Sequence, residues 1–409
     1  MNKGRITKIL ELTLQILFFL WCLVLPWSTA GMQIMLGLLI LDSVILSIIN
    51  KRSPVNFHPF YIFIAAYFVS DLISILHSEN ASQSFNAAFS NDWVLITVPF
   101  IVSLAITPLW RKRSFRVLLF SASIVGLVGI IQAFIGVDFL KGGSLVAQGN
   151  YFRAIGSYSG YYTYGGNQLF AFAISFAFLI LVKKWKIERG IYLLFAVIIF
   201  FSIVASFTRS TWLGAIFVLL LGTLMVNRKV FFYMTGALLL VGIILFHFVP
   251  DIQSRFLSIF SESQNEERIT LWATAWIIIK KNFMFGIGQG FFPKYFLIYK
   301  VPGFFDAHSH AHNDFINVTV SNGILGFITW TGMWVSWFYY STRAFMKKTW
   351  DEADRQIILS AILGIAGILV AAMFQCFFTD LENNVFWLFL ASVALQITVQ
   401  SGKKTEEKL

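Results

Sequence analysis

The feature that most constrains this chain is a series of apolar segments, each roughly 17–25 residues long, recurring from one end to the other. Twelve can be drawn, near residues 9–25, 31–49, 57–76, 93–109, 115–137, 167–182, 190–207, 211–226, 230–249, 314–339, 356–378 and 384–400. A helix of about 20 residues crosses the ~30 Å hydrocarbon core of a bilayer. Lipid offers no partner for backbone amides, and the segments lack the alternation of a membrane barrel, so helices are forced. Only 12% of residues are charged, against about 25% in soluble domains, which excludes a water-soluble fold. The expectation is an all-α polytopic membrane protein of about twelve transmembrane helices. Met1 to Trp27 has a basic start like a signal peptide, but no small-residue cleavage site precedes a soluble domain, so it reads as a retained first span.

The net charge of +11 suggests nucleic acid until its distribution is followed. Lys3, Arg5 and Lys8 precede the first span, and Lys51, Arg52, Arg111, Lys112, Arg113, Arg116, Lys183, Lys184, Lys186, Arg189, Arg228 and Lys229 fill alternate loops. Arg343, Lys347, Lys348, Arg355, Lys403, Lys404 and Lys408 continue the series. With twelve spans, all of these fall on one side. By the positive-inside rule that side is the cytoplasm, with both termini there. The charge is a topology signal, and no nucleic-acid partner is implied. Cys22 and Cys376 both fall inside spans and offer neither a disulfide framework nor a metal cluster.

The loops of the opposite side are short and nearly free of Lys and Arg, as at Pro26 to Gly31 and His77 to Asp92, with two exceptions. One runs from Asp138 to Asn167. The other, from Pro250 to Asn313, is far longer than the roughly 12–15 residues beyond which structureless loops are uncommon. Within it Ser263 and Glu266 form a capping-box pattern, and Ile269, Trp272, Trp276, Ile279 and Phe283 share one helical face. Such a helix can lie at the membrane interface or pack on the bundle. Three regions follow: residues 1–249 as a bundle of nine spans, 250–313 as the loop with its amphipathic helix, and 314–409 as three further spans and a cytoplasmic tail. No internal repeat or low-complexity tract is present.

Three of the six histidines crowd into Asp306-Ala307-His308-Ser309-His310-Ala311-His312-Asn313-Asp314, just before the tenth span. One reading is a polar loop end with Asn313 or Asp314 capping the next helix. A metal site is a second, since His308 and His312 are four apart, but neither Cys nor an H-E-x-x-H pattern accompanies them. Histidine titrates near neutrality and is the usual proton-transfer group, so a catalytic base is the reading favoured. Arg209 sits in the very short turn Ser206-Phe207-Thr208-Arg209-Ser210 between the seventh and eighth spans. Its bland explanation is snorkelling to the interface; its functional one is anion binding at membrane depth. Arg268 opens the amphipathic helix beside Glu266 and Glu267, where an ordinary surface ion pair would also explain it. Together, guanidinium groups can neutralise a departing diphosphate while a histidine takes a proton from an attacking hydroxyl. Asp306 and Asp314 are the only nearby carboxylates that could hold Mg²⁺, so metal-independent transfer is expected, without cofactor. Gly286-Ile287-Gly288-Gln289-Gly290 follows a helix rather than a strand and fails the dinucleotide-binding context; a flexible turn is expected.

These residues resemble the O-antigen ligase and polymerase superfamily. His310-Ala311-His312-Asn313-Asp314-Phe315 is similar to its H-x-H-N motif, Thr208-Arg209-Ser210 with Thr211-Trp212-Leu213-Gly214 to its arginine turn, and Glu267-Arg268-Ile269-Thr270-Leu271-Trp272 to its E-R-x-x-x-W element. Arg153-Ala154-Ile155-Gly156, followed by Gly166-Asn167, resembles the segment before the mid-chain span, and Gly286 to Gly290 the family's glycine turn. The resemblance covers roughly residues 150 to 390. It implies a C-type glycosyltransferase fold with a periplasmic active site and an undecaprenyl-diphosphate-linked glycan as donor. It further implies that Arg209 and Arg268 bind the donor diphosphate and that His312, with His310 as the motif's first histidine, activates the acceptor. Arg153, His308 and Asn313 would complete the substrate-binding set. Ligases and polymerases share these parts; the chain length and single long loop point to a ligase, whose acceptor would be the lipid A core. A secondary transporter is the competing class, but transporters show repeated halves and polar groups near mid-membrane. Here Asp42 and Asp71 are few and unpaired by spacing.

Overall fold

The computed structural model describes residues 3–182, 187–248, 253, 257, 262–303, 310–347 and 350–406. Their helices are α1 (Lys3–Val24), α2 (Thr29–Ile49), α3 (Phe60–His77), α4 (Ala81–Asp92), α5 (Val98–Ser103), α6 (Pro108–Ile135), α7 (Tyr161–Leu181) and α8 (Ile187–Ala205). There follow α9 (Arg209–Val226), α10 (Arg228–Phe248), α11 (Glu262–Lys281), α12 (Phe292–Tyr299), α13 (Asp314–Met346), α14 (Glu352–Ala371) and α15 (Leu381–Glu406). A small antiparallel hairpin, β1 (Ala147–Gln148) with β2 (Tyr151–Phe152), is the named sheet among the described residues. Ten helical segments are long and apolar enough to cross a membrane; the expected runs near 314–339 and 384–400 form the long helices α13 and α15 as well. The protein is an all-α polytopic membrane protein.

Helices α7 and α14 form the centre, with α9 and α8 packed around them. Both are buried over most of their length, as helices apolar on every face must be inside a bundle. Small residues let the neighbours approach: a Cβ on Gly214 of α9 would come within 2.7 Å of the Gly367 carbonyl oxygen of α14. Helices α1, α2 and α6 pack on one flank, α3 lies along α13, and α10 packs against α9.

The fourth run departs from expectation. The candidate span lies at Ala81–Ser103 instead of 93–109: the polar segment Ala81–Asp92, expected as loop, is helical with Asn80 as its cap, and a 3₁₀ turn at Trp93–Thr97 leads into the short α5. The non-helical stretch after Ser103 is tolerated because side chains satisfy its backbone. Gln15 donates to the Ala105 carbonyl at 2.9 Å and accepts from the Thr107 N–H at 3.0 Å, while Gln396 donates to the Leu104 carbonyl at 2.6 Å. Irregular backbone at membrane depth survives only with such burial in protein.

A second break falls inside α13 at Gly323, with φ 65° and ψ −167°. The glycine run expected as a flexible turn is pinned to this break. Ile287 N–H donates to the Val320 carbonyl at 3.0 Å and Gly288 N–H to the Ser321 carbonyl at 2.9 Å. Gly286, Gly288 and Gly290 all hold positive φ, which L side chains rarely adopt. Asp71, unpaired by spacing, is met at the same place by the Asn322 amide at 2.8 Å.

Hydrogen bonds sort the helix ends into two sets. At one end Thr7 meets Asn50, Arg111 meets Asp354 and Gln400, and Arg116 meets Tyr192. The basic loops that the charge count singled out emerge here. At the other end Thr29 meets Glu382, Ser157 meets the Pro26 carbonyl, Asn167 meets Asn383, and Asp314 meets the Phe377 N–H.

Candidate active site

The histidine motif lies at the end away from the basic loops, stitched down on two sides. Asn313 caps α13, its Oδ1 accepting from the Ile316 N–H at 3.1 Å, while its Nδ2 donates to the Met373 carbonyl at 2.8 Å. Asp314 is buried, its carboxylate accepting the Phe377 N–H at 2.7 Å, and its own N–H donates to the Ala372 carbonyl at 2.9 Å. From the opposite side Trp272 of α11 donates its indole N–H to the Ala311 carbonyl at 3.0 Å. Between these anchors His312 holds φ 51°, a left-handed conformation that costs a non-glycine residue energy and persists only where the surroundings over-determine it.

The two described histidines touch. Their rings meet edge to face, with centroids 4.6 Å apart and planes at 89°, and the His312 backbone N–H donates to His310 Nδ1 at 3.4 Å. His312 Nδ1 is hydrogen-bonded to the side-chain oxygen of Gln375. Tyr162, at the start of α7, places its ring 6.3 Å from that of His312. His308 lies outside the described residues.

The arginines converge on the same end. Arg153, leaving the hairpin, lays its guanidinium 3.3 Å from the Tyr161 ring centroid and 5.4 Å from that of Tyr162, and donates to the Phe207 carbonyl at 3.1 Å. That carbonyl belongs to the turn between α8 and α9, where Phe207 holds φ 50° and Thr208 donates to the Tyr161 carbonyl at 3.3 Å. Arg209, half-buried, is the first residue of α9 and leaves this turn directly. Arg268, also half-buried, lies one helical turn before Trp272, whose indole holds the motif. Arg153, Arg209, Arg268, His310, His312 and Asn313 are thus gathered at one end of the bundle.

Helix α11 departs from the expectation at its start, and its packing distinguishes the two placements left open for its apolar face. It is already helical at Glu262, so Ser263 is not its cap. Its buried face is Thr270, Leu271, Thr274, Ala275, Ile278 and Ile279, packed on α12 and α13, whereas Ile269, Trp276 and Phe283 are exposed. Ile269, Trp276 and Phe283 face outward because small and aliphatic residues fit the protein contact, while Trp272 turns to the Ala311 carbonyl.

Beside His310 opens a cavity of about 530 Å³, in the size range of small-molecule sites. Tyr162, Asn317, Gln375, Asp380 and Glu382 line it. None of these was singled out from sequence. The span expected at 356–378 ends instead at Ala371, and Gln375 sits in the turn that follows. The signal was the polar run Thr379-Asp380-Leu381-Glu382-Asn383-Asn384, together with a glutamine among aromatics. Burial, and then the neighbouring Glu382, push the Asp380 carboxyl well above its usual range. Among the described residues no group of three or more His, Cys, Asp or Glu is placed to hold a metal ion.

Fold and site together define a multi-pass membrane protein with its polar, arginine- and histidine-bearing machinery at one end. Residues 194–331 match the family model described as O-antigen ligase. The matched stretch contains Arg209, Arg268 and the histidine motif but neither Arg153 nor Gln375. Among curated proteins no match is found.

Proposed function

We propose that the protein is an O-antigen ligase, transferring a glycan from undecaprenyl diphosphate to a hydroxyl of the lipid A core at the periplasmic face. A hydroxyl of the acceptor attacks the anomeric carbon and the bond to the diphosphate oxygen breaks. The departing diphosphate takes the electron pair under the charge of Arg209 and Arg268. His312 takes the acceptor proton, and Arg153, His308 and Asn313 contact the substrates. No metal or cofactor is required in this scheme. The observation that carries the reading is that His312 packs on His310 and Tyr162, which line one polar cavity, with the Arg153 guanidinium beside Tyr162, at the end opposite the basic loops. The family match supports a glycosyltransferase-like enzyme acting on a lipid-linked glycan and a lipid acceptor.

The test is transfer by the full chain in nanodiscs, supplied with an undecaprenyl-diphosphate-linked oligosaccharide and lipid A core in EDTA. A single addition to lipid A core is expected. Arg209→Ala and Arg268→Ala should nearly abolish it, with Lys rescuing poorly because it lacks the planar fork. His312→Ala should cost roughly 10²–10⁴ in rate, with His310→Ala similar or weaker. A ladder of products from donor alone would replace ligase by polymerase. Loss of transfer in EDTA with recovery on Zn²⁺ or Mg²⁺ would sink the general-base scheme.

A further inference from the structure

We infer that Gln375 is a positioning residue of this site, whose side-chain carbonyl holds the His312 ring in the tautomer and orientation that present Nε2 to the acceptor. This rests on His312 being the base. A neutral imidazole carries one proton and one lone pair, on different nitrogens. An amide oxygen bonded to Nδ1 accepts a proton there, so the lone pair must sit on Nε2. His310 is set the other way. Its Nδ1 accepts the His312 backbone N–H, so in the neutral ring the proton is on Nε2, a donor on a residue that lines the cavity. One histidine is thereby made a base and its neighbour a hydrogen-bond donor, although the sequence presents them as equivalents.

Gln375 is suited to this work by where it stands. It is 3% exposed, in the turn stitched to the motif through the Asn313, Ala372 and Asp314 bonds, so the amide and the ring are carried on one rigid junction. It also lines the cavity, as does His310, the neighbour of the oriented ring. Among the described residues the ionisable groups near His312 include His310 and Asp314 along its own segment, Cys376 beside Gln375, and Tyr162 from α7, with the Arg153 guanidinium 5.4 Å from the Tyr162 ring centroid. The Asp314 carboxylate is turned to the Phe377 N–H, so the contact on Nδ1 is an uncharged amide.

Two substitutions separate orientation from bulk. Gln375→Leu keeps the volume and removes the acceptor; transfer should fall about 10- to 100-fold in kcat, as for outer partners of oriented histidines, with KM little changed and no recovery at any pH. Gln375→Glu keeps an acceptor and can only accept. The carboxylate favours the imidazolium, so the acid limb of the rate profile should move to higher pH by about one unit, with activity recovering on the alkaline side. A measurement independent of transfer is the rate at which diethyl pyrocarbonate acylates His312, followed by mass spectrometry against pH in the full chain. In Gln375→Glu its midpoint should move upward with the rate profile. An unmoved midpoint would overturn the contact with Gln375. A moved midpoint with an unmoved rate profile and full activity in Gln375→Leu would overturn its positioning role. Failure of the base itself would instead show in His312→Ala retaining transfer.

Discussion

At the end remote from the site, Arg111 and Asp354 make a buried pair whose removal should separate stability from activity. Arg111 is 2% exposed and Asp354 7%. The guanidinium donates five hydrogen bonds: three to the Asp354 carboxylate at 2.8–3.1 Å, one to the Ile106 carbonyl at 2.8 Å, and one to Gln400 at 2.6 Å. The pair therefore ties α6 to α14 and α15. Asp354→Ala leaves two of those bonds and an uncompensated buried cation, a loss of about 3–5 kcal/mol. The joint replacement Arg111→Met with Asp354→Leu removes both charges and should be far closer to wild type, because each ion also carries a desolvation cost that the apolar pair avoids. Unfolding midpoints in detergent micelles across an SDS titration measure both. Transfer per folded molecule should stay unchanged in each, since the pair sits at the opposite helix ends from His312. A single variant within about 1 kcal/mol of wild type, or one less destabilised than the double, would refute the argument.

A cysteine replacing Lys141, exposed near the hairpin, should react with an impermeant thiol reagent added from the periplasm, while one replacing Arg52 should not; the reverse pattern would invert the assigned sides. Cys22 and Cys376 are buried and should contribute little background. Asp380, its carboxyl raised by burial and by Glu382, keeps its proton in the folded state at pH values where the unfolded chain has lost it. Its contribution is therefore fully present below the unfolded carboxylate range and lost as pH rises through the folded value. Asp380→Asn should gain in melting temperature over wild type more at pH 8 than at pH 5, and an equal difference at both would contradict the buried, protonated assignment.

How far the sequence could carry the argument depended on what each signal measures. Apolar length and one-sided charge report on the bilayer, so the helices, and the end at which the arginines and histidines gather, were legible before any coordinates. The segment Ala81–Asp92 was missed because its alanines, serines and asparagines have neither span-like apolarity nor a strong apolar face; its helix is a product of packing against α3 and α15. Whether Trp276 and Ile269 face protein or the interface was left open for a related reason. Periodicity finds a stripe but cannot say whether protein or interface covers it. Gln375 was hidden by distance, for it lies 63 residues from His312 along the chain, inside what reads as the end of an apolar run. An outer partner of a catalytic group has no motif of its own, since its role depends only on where the fold returns the backbone. Here that return is made by Asp314: by accepting the Phe377 N–H it closes the turn after α14, and the closed turn sets the Gln375 amide against the imidazole two residues upstream of Asp314. The Asp immediately after the H-x-H-N motif thus fixes the backbone of the turn, while the preceding Asn313 caps the helix.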